Sequence, residues 1–265
     1  MAHIISIALR KGGSGKTTTS VNLAAGLHKK GHRVLLVDLD DQANATMCVG
    51  VNPFELERSI STLFTDISLQ PQDVILTTDF GLPLLPATQN LEDVAAGMNA
   101  TSTKELKNIL DPLRGEFDYI IIDTQPGHSF MSIGALIASD YVLIPLQAHY
   151  LAMEGLARIL TDIQKVQHGN TLNSYRGPNP HLQVLGIIPC MVQGTNISRG
   201  VISKTREDYP GLVLPIEIKL LVDFVNSTLE GVPLVIAKPQ HPGAVEYMEL
   251  VTILENMLEG KHGKK

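Results

Sequence analysis

One stretch of eight residues, Lys11-Gly12-Gly13-Ser14-Gly15-Lys16-Thr17-Thr18, constrains this chain more than any other. Ahead of it lies Ile4 to Leu9, an apolar run that reads as a buried strand. Behind it, through Thr17 to Lys30, Val21, Leu23, Ala24 and Leu27 recur at helical spacing, with Gly31 as the stop. A glycine-rich turn that opens a helix aims several backbone N–H groups at one point, and the helix dipole adds positive potential there. The ligand selected by such geometry is phosphate. Gly12, Gly13 and Gly15 let the backbone wrap where a Cβ would clash, and Ser14 and Thr18 belong to the wrapped segment. Lys16 reaches toward the phosphate charge, and the Thr17 hydroxyl is placed to ligate Mg²⁺. The spacing departs from the general pattern at one position, where Arg10 stands in place of the first glycine.

The apolar runs Val34 to Val37, Tyr119 to Ile122 and Tyr141 to Pro145 read as further strands of a parallel sheet buried on both faces, with Val184 to Ile188 as another. They alternate with helical stretches such as Thr103 to Leu113 and Glu154 to Gln167. The prediction is an α/β fold, doubly wound, with a mostly parallel sheet and helices on both faces. At 265 residues the chain reads as one domain over 1–258, closed by a helix near Ala244 to Leu258. A short basic tail, 259–265, is expected to be disordered, and Gly169 to His181, rich in Asn, Gly and Pro, reads as an exposed loop.

With 27 acidic and 21 basic residues the formal charge is -6, so the chain is no polycation and any nucleic-acid contact has to be a local patch. Cys48 and Cys190 form no CxxC pair, which argues against zinc, an iron-sulfur site or a disulfide framework and makes a reducing cytoplasm the simplest home. The N-terminus reaches Arg10 and Lys11 too soon for a signal peptide, and no apolar run attains the length of about 18 residues that a membrane span needs.

The phosphate loop, with Lys11 as an additional lysine, resembles the deviant Walker A motif of the ParA/Soj/MinD P-loop ATPases. The resemblance implies ATP and Mg²⁺ as cofactors and the whole loop from Lys11 to Thr18 as nucleotide-binding. It also implies catalytic roles for Lys16 and for Lys11, which in that family crosses an ATP-sandwich dimer to the other subunit's phosphates. Asp38-Leu39-Asp40-Asp41-Gln42-Ala43-Asn44-Ala45-Thr46 is similar to the family's DxDPQGNAT motif, with Asp41 in place of Pro and Ala43 in place of Gly. By resemblance Asp40 positions and activates the attacking water and Asp38 supports the Mg²⁺ shell. Three acids within four residues at a strand end would also repel one another unless a cation were near. Tyr119 to Thr124, an apolar strand ending in an acid, reads as Walker B, with Asp123 holding Mg²⁺ through water. Adenine contacts are expected in the loops after the later strands, around Pro189 and Pro215. Further landmarks, Pro145-Leu146-Gln147 with Glu154-Gly155-Leu156, then Pro215 to Lys219, Gly231-Val232-Pro233 and Gly243 to Tyr247, extend the likeness over nearly the whole chain.

Relatives of this kind share the ATPase core and differ in the surfaces they bind. Gly260 to Lys265 is basic but offers no Phe, Trp or Leu to bury, so no stable membrane association of the MinD type is expected. The resemblance then implies the DNA-partition branch. In that branch an ATP-bound homodimer binds nonspecific DNA on the nucleoid, and a cargo-bound ParB-like adaptor stimulates hydrolysis and release, segregating plasmid or chromosome; the protein would be cytoplasmic and nucleoid-associated. Candidate DNA contacts are Arg199, Lys204, Arg206 and Lys219, each neutralising about one phosphate, with Lys219 at the basic position of the family's IPxNxR landmark. Three alternatives stay open. One is the same mechanism with a protein cargo, such as a carboxysome or chemoreceptor cluster; another is a MinD-like membrane-cycling regulator; the third is a metabolic P-loop enzyme such as a dethiobiotin synthetase relative.

Overall fold

The computed structural model describes residues 1–99, 102–169 and 176–262. The strands β1 (His3–Ile7), β2 (Val34–Leu39), β3 (Leu76–Thr77), β4 (Pro83–Leu85), β5 (Tyr119–Thr124), β6 (Tyr141–Gln147) and β7 (Gln183–Cys190) form one sheet in the order β3-β4-β2-β5-β1-β6-β7. All neighbouring pairs are parallel except β3 with β4. The five expected strands are all present. β3 and β4 are additions, too short to show a period, and Pro83 at the head of β4 disguises it further.

Alternate strand residues feed opposite layers, as the pleat requires. Ile4, Leu35, Val37, Ile120 and Ile122 enter one core, whereas Ile5, Leu36 and Ile121 enter the other. The helices are α1 (Lys16–Lys29), α2 (Asn44–Cys48), α3 (Ile60–Thr65), α4 (Asn90–Gly97), α5 (Glu105–Leu110), α6 (Phe130–Ala138), α7 (Ala152–His168), α8 (Asn196–Asp208), α9 (Asp223–Glu230), α10 (Leu234–Ala237) and α11 (Pro242–His262). Leu23 and Leu27 of α1 share the second of these layers, that of Ile5, Leu36 and Ile121, with Leu234, Leu250 and Leu254 of α10 and α11, and Ile60, Leu91, Leu106 and Met131 cover the first from α3 to α6. Leu156, Ile159 and Ile163 of α7 pack with β6 residues Val142 and Ile144.

Three expectations are adjusted. The helix read over Thr103 to Leu113 stops as an α-helix at Leu110 and continues as a 3₁₀ turn, Asp111–Gly115; Pro112 has no N–H to donate to the carbonyl four residues back. Helix α11 carries the chain through 259–262, and 263–265 lie outside the described residues. Of the loop Gly169 to His181, residues 170–175 also lie outside them, while Asn179 turns inward and donates from Nδ2 to the Leu136 carbonyl at 3.1 Å and the Ser139 carbonyl at 2.6 Å.

The outer side of β7 is not bare. The Ile187 N–H donates to Leu212 O at 2.8 Å, the Leu214 N–H to Ile187 O at 2.9 Å and the Ile218 N–H to Pro189 O at 2.9 Å. The returning segment thus pairs with β7 and brings Ile218 and Lys219 to its carboxyl end. Among the described residues no helix is long and apolar enough to cross a membrane.

Candidate functional site

The carboxyl ends of β1, β2 and β5 meet at one point of the sheet, because β5 lies between the other two. Its register sets Asp123 beside both Ile7 and Asp38. Open α/β sheets bind their ligands outside these strand ends. The chain leaving β1 turns through Gly13 (φ 66°) and Gly15 (φ 88°), left-handed values that a side chain would strain, and enters α1 at Lys16. The result is a hollow of about 300 Å³ lined by Gly12 through Thr18, by Asp40, Gln42 and Asn44 from the end of β2, and by Pro126 and Met191.

Lys16 is 6% exposed, and its Nζ donates to the Lys11 carbonyl at 3.2 Å. Burial lowers its pKa, while the carboxylates of Asp123 and Asp40 pull the other way. Asp38 and Asp123 are both fully buried. The Asp38 carboxylate is well held, accepting from the Thr46 N–H at 2.8 Å, the Thr46 hydroxyl at 2.7 Å and the Asp40 N–H at 3.1 Å. It therefore ties the loop after β2 to its own strand. Asp123 accepts from the Ser20 hydroxyl at 2.8 Å through Oδ1, but its Oδ2 is buried without a hydrogen-bond partner. Burial pushes both carboxyls upward, with the charge of Asp123 adding to the effect at Asp38.

A second orphan, the buried Ser14 hydroxyl, lies in the wall of the hollow. Buried polar atoms without partners cost free energy, so two of them around one cradle of N–H groups and a lysine fit a polar ligand. A cation at the Asp123 side and phosphate oxygens at the Ser14 side would satisfy both. Asp40, 5% exposed, accepts from the Gln42 N–H at 3.1 Å and the Asn44 side chain at 3.3 Å, which leaves it facing the hollow. Thr17 and Thr18 also line it. Lys11 sits at the rim, half-buried, with Nζ donating to Gln147 Oε1 at 3.4 Å.

Pro189 and Pro215, where adenine contacts were expected, do not line the hollow. A mostly apolar cavity of about 130 Å³ adjoins Gly15 and Thr18, and its walls are Cys190, Met191, Ile218 to Leu221, Phe224, Val225, Thr228 and Tyr247. Neither Pro189 nor Pro215 lines it. Pro189 is still inside β7, buried in the sheet, and Pro215 is exposed before the returning chain reaches the cavity. The chain reaches the cavity at Cys190, the last residue of β7, and the next residue, Met191, takes the left-handed conformation (φ 53°) and borders both cavities. Met191 had no motif to announce it, whereas Gln42 and Asn44 stood in the motif already quoted for Asp38 and Asp40.

The DNA candidates are brought near one another but not left free. Arg199, Lys204 and Arg206 lie on α8, and Lys219 lies where the returning segment meets Val192. Lys204 pairs with Asp208 at 2.8 Å, Arg206 with Glu217 at 3.2 Å and Lys219 with Glu246 at 3.0 Å; Arg199 donates to Asn196 Oδ1 at 2.8 Å.

Residues 2–175 match the AAA_31 family, described as an AAA domain. The sporulation initiation inhibitor protein Soj of Bacillus subtilis is 35% identical over 254 residues, covering 94% of this chain and 97% of that protein. The chromosome-partitioning ATPase Soj of Thermus thermophilus is 34% identical over 248 residues, covering 93% of this chain and 92% of its own length. Among solved structures, cobyrinic acid a,c-diamide synthase from Mycobacterium smegmatis with bound ADP and magnesium is 31% identical with a TM-score of 0.81, over 98% of this chain and 97% of that one. With the loop, its three aspartates and the sheet order in place, these likenesses give the family: the chain belongs to the ParA/Soj-type partition ATPases.

Proposed function

We propose that this ATPase works as a nucleotide-switched partition protein, in which ATP joins two copies, the joined copies bind DNA without regard to sequence, and a cargo-bound adaptor triggers hydrolysis and release. The observation that carries it is the chain-long match to chromosome-partitioning relatives, with Lys11 standing free of the hollow at its rim. In this reading Lys16 and the N–H groups of the loop hold the phosphates, Thr17 and Asp123 hold Mg²⁺, and Asp38 fixes the loop that carries Asp40. Asp40 positions and activates the attacking water. Lys11 neutralises charge on the partner copy's nucleotide. When bound, Mg²⁺ supplies positive charge against the phosphate oxygens. The apolar cavity beside Gly15 takes the base. The protein acts in the cytoplasm on the nucleoid.

A second reading, the same nucleotide switch working without a DNA track, is favoured by one feature: three of the four basic candidates already hold a carboxylate. The two separate in one titration of fluorescent duplex DNA at low salt with ATP, ADP or no nucleotide. Binding that requires ATP, fades with salt and disappears in Lys11→Ala supports DNA as the track. No binding in any state overturns it and leaves a switch that works without DNA, on a protein partner or a membrane.

A further inference from the structure

Arg10 occupies the position where the general phosphate-loop pattern has a glycine, and its side chain is engaged through Nε and Nη2. Its Nε donates to Asp162 Oδ2 at 2.6 Å and its Nη2 to Asp162 Oδ1 at 2.5 Å, a bidentate fork, while Nη2 also lies 3.0 Å from His128 Nδ1. Asp162, on α7, is 2% exposed. A fork of this kind fixes orientation as well as distance, which a lysine cannot do.

The backbone of Arg10 is committed too, since its carbonyl accepts from the Gly127 N–H at 3.0 Å. Gly127 and His128 belong to the loop that follows Asp123 on β5. Arg10 thereby joins three parts: the head of the phosphate loop, the loop after the Mg²⁺-side aspartate, and α7. Two turns ahead of Asp162, on the same face of α7, Gly155 comes so near the loop that a Cβ there would stand 3.4 Å from Lys11 Cβ. The helix thus touches residue 11 with a glycine and grips residue 10 with a buried carboxylate.

We infer that Arg10 and Asp162 are a positioning pair that holds Lys11 and the loop after Asp123 in register with α7, and through them sets the rate of ATP turnover. The pair lies behind the hollow, outside its lining, so it acts through its neighbours and touches no ligand. A small displacement of reacting groups costs rate far more than it costs binding. The inference rests on the reading of Lys11 as a phosphate-facing residue, and Lys11→Ala measured in parallel keeps the two apart.

The test compares Asp162→Asn, which keeps the shape and removes the charge, with Arg10→Gln and Arg10→Lys, and takes Asp118→Asn as control. Asp118 pairs with Arg33 at 2.7 Å at the amino ends of the strands, away from the hollow. Four quantities are read: affinity for a fluorescent ATP analogue, kcat, Tm, and hydrogen exchange of the Gly127 amide in nucleotide-free protein. Asp162→Asn and Arg10→Gln are expected to keep affinity within about threefold, to lose about tenfold or more in kcat, and to speed exchange at Gly127; Arg10→Lys falls between and Asp118→Asn changes none of these. Wild-type kcat in both Asp162→Asn and Arg10→Gln overturns the inference. So does a loss of affinity and thermal stability in proportion to the loss of rate, which would mark a structural pair only. If Lys11→Ala turns over normally, the reading of Lys11 fails, while the effect on Gly127 still judges the pair.

Discussion

Asp123 is a buried carboxyl with one oxygen satisfied and one not, beside a second buried carboxyl at Asp38. Such a group destabilises the chain until a cation arrives. Asp123→Asn should raise the stability of the nucleotide-free protein by about 1–2 kcal/mol, and should abolish the rise in Tm that Mg²⁺ with ATP gives the parent. Thermal unfolding with and without ligand checks both halves. The sign with pH follows from the raised carboxyl: the folded state holds its proton to higher pH than the unfolded state does. Nucleotide-free parent protein should therefore lose stability as pH rises from the ordinary carboxylate range to neutrality, and Asp123→Asn should lose less. Ala43 is a second strained residue, left-handed at φ 51° and 1% exposed, where the family motif has glycine. The strain costs about 1–2 kcal/mol. Glycine would relieve it but lose about 0.5–1 kcal/mol in chain entropy and about 0.8 kcal/mol for the buried methyl. Ala43→Gly should thus leave the urea midpoint nearly unmoved, while Ala43→Val should cost more than about 2 kcal/mol because a branched side chain tolerates that backbone least. The loop and the three aspartates beside it were legible in the sequence because each sits in a short contiguous motif at a strand end. The cavity beside Gly15 was not, since Met191 and Ile218 meet only when the returning segment pairs with β7, and neither was the partnership of Arg10 with Asp162, which no local spacing reveals.

At the scale of elements, the seam between α1 and α11 carries a charged clasp. Glu255 of α11, 15% exposed, accepts from Lys30 Nζ at 2.5 Å and lies 2.7 Å from His32 Nε2. Burial alone would raise its pKa, but the hydrogen bonds from Lys30 and His32 outweigh it and hold the carboxyl below the ordinary glutamate range. A depressed acid stabilises the fold above its unfolded pKa and ceases to do so as pH falls through the folded value. Glu255→Gln should then cost about 1 kcal/mol at neutral pH, with the gap to the parent closing in strongly acid buffer; a gap that persists unchanged to low pH would count against the clasp. The elements themselves were read well where they are long and buried. Parallel strands covered on both faces show as unbroken apolar runs, so β1, β2, β5, β6 and β7 stood out, whereas β3 and β4 are too short to leave a pattern. The end of α5 at Leu110 was missed because apolar spacing continues past Pro112, which lacks the N–H that the next α-helical hydrogen bond needs.

Over the whole molecule a charge of -6 leaves DNA contact to local groups, and the best placed of these, Lys219, is 62% exposed yet shared with Glu246. If DNA is the track, Glu246 competes with phosphate for that ammonium. Glu246→Gln should strengthen binding and Lys219→Ala should weaken it, the latter reducing the salt slope by about one charge per copy. Anisotropy titrations across a salt series give both numbers; equal affinities for the two variants would refute this role for Lys219. Two weak surfaces joined by ATP bind far more tightly than one, so both effects should be larger with ATP. The sheet also limits how copies can meet. One border is β3, two residues long, and the other is β7, whose outward backbone groups are engaged by the segment that follows α8. An open border is where a chain of another copy adds itself strand by strand, and here one border is two residues long and the other is occupied in part by the returning segment. If copies pair as proposed, loops and helix surfaces are what the described residues offer them, and contacts of that kind come apart when those surfaces move.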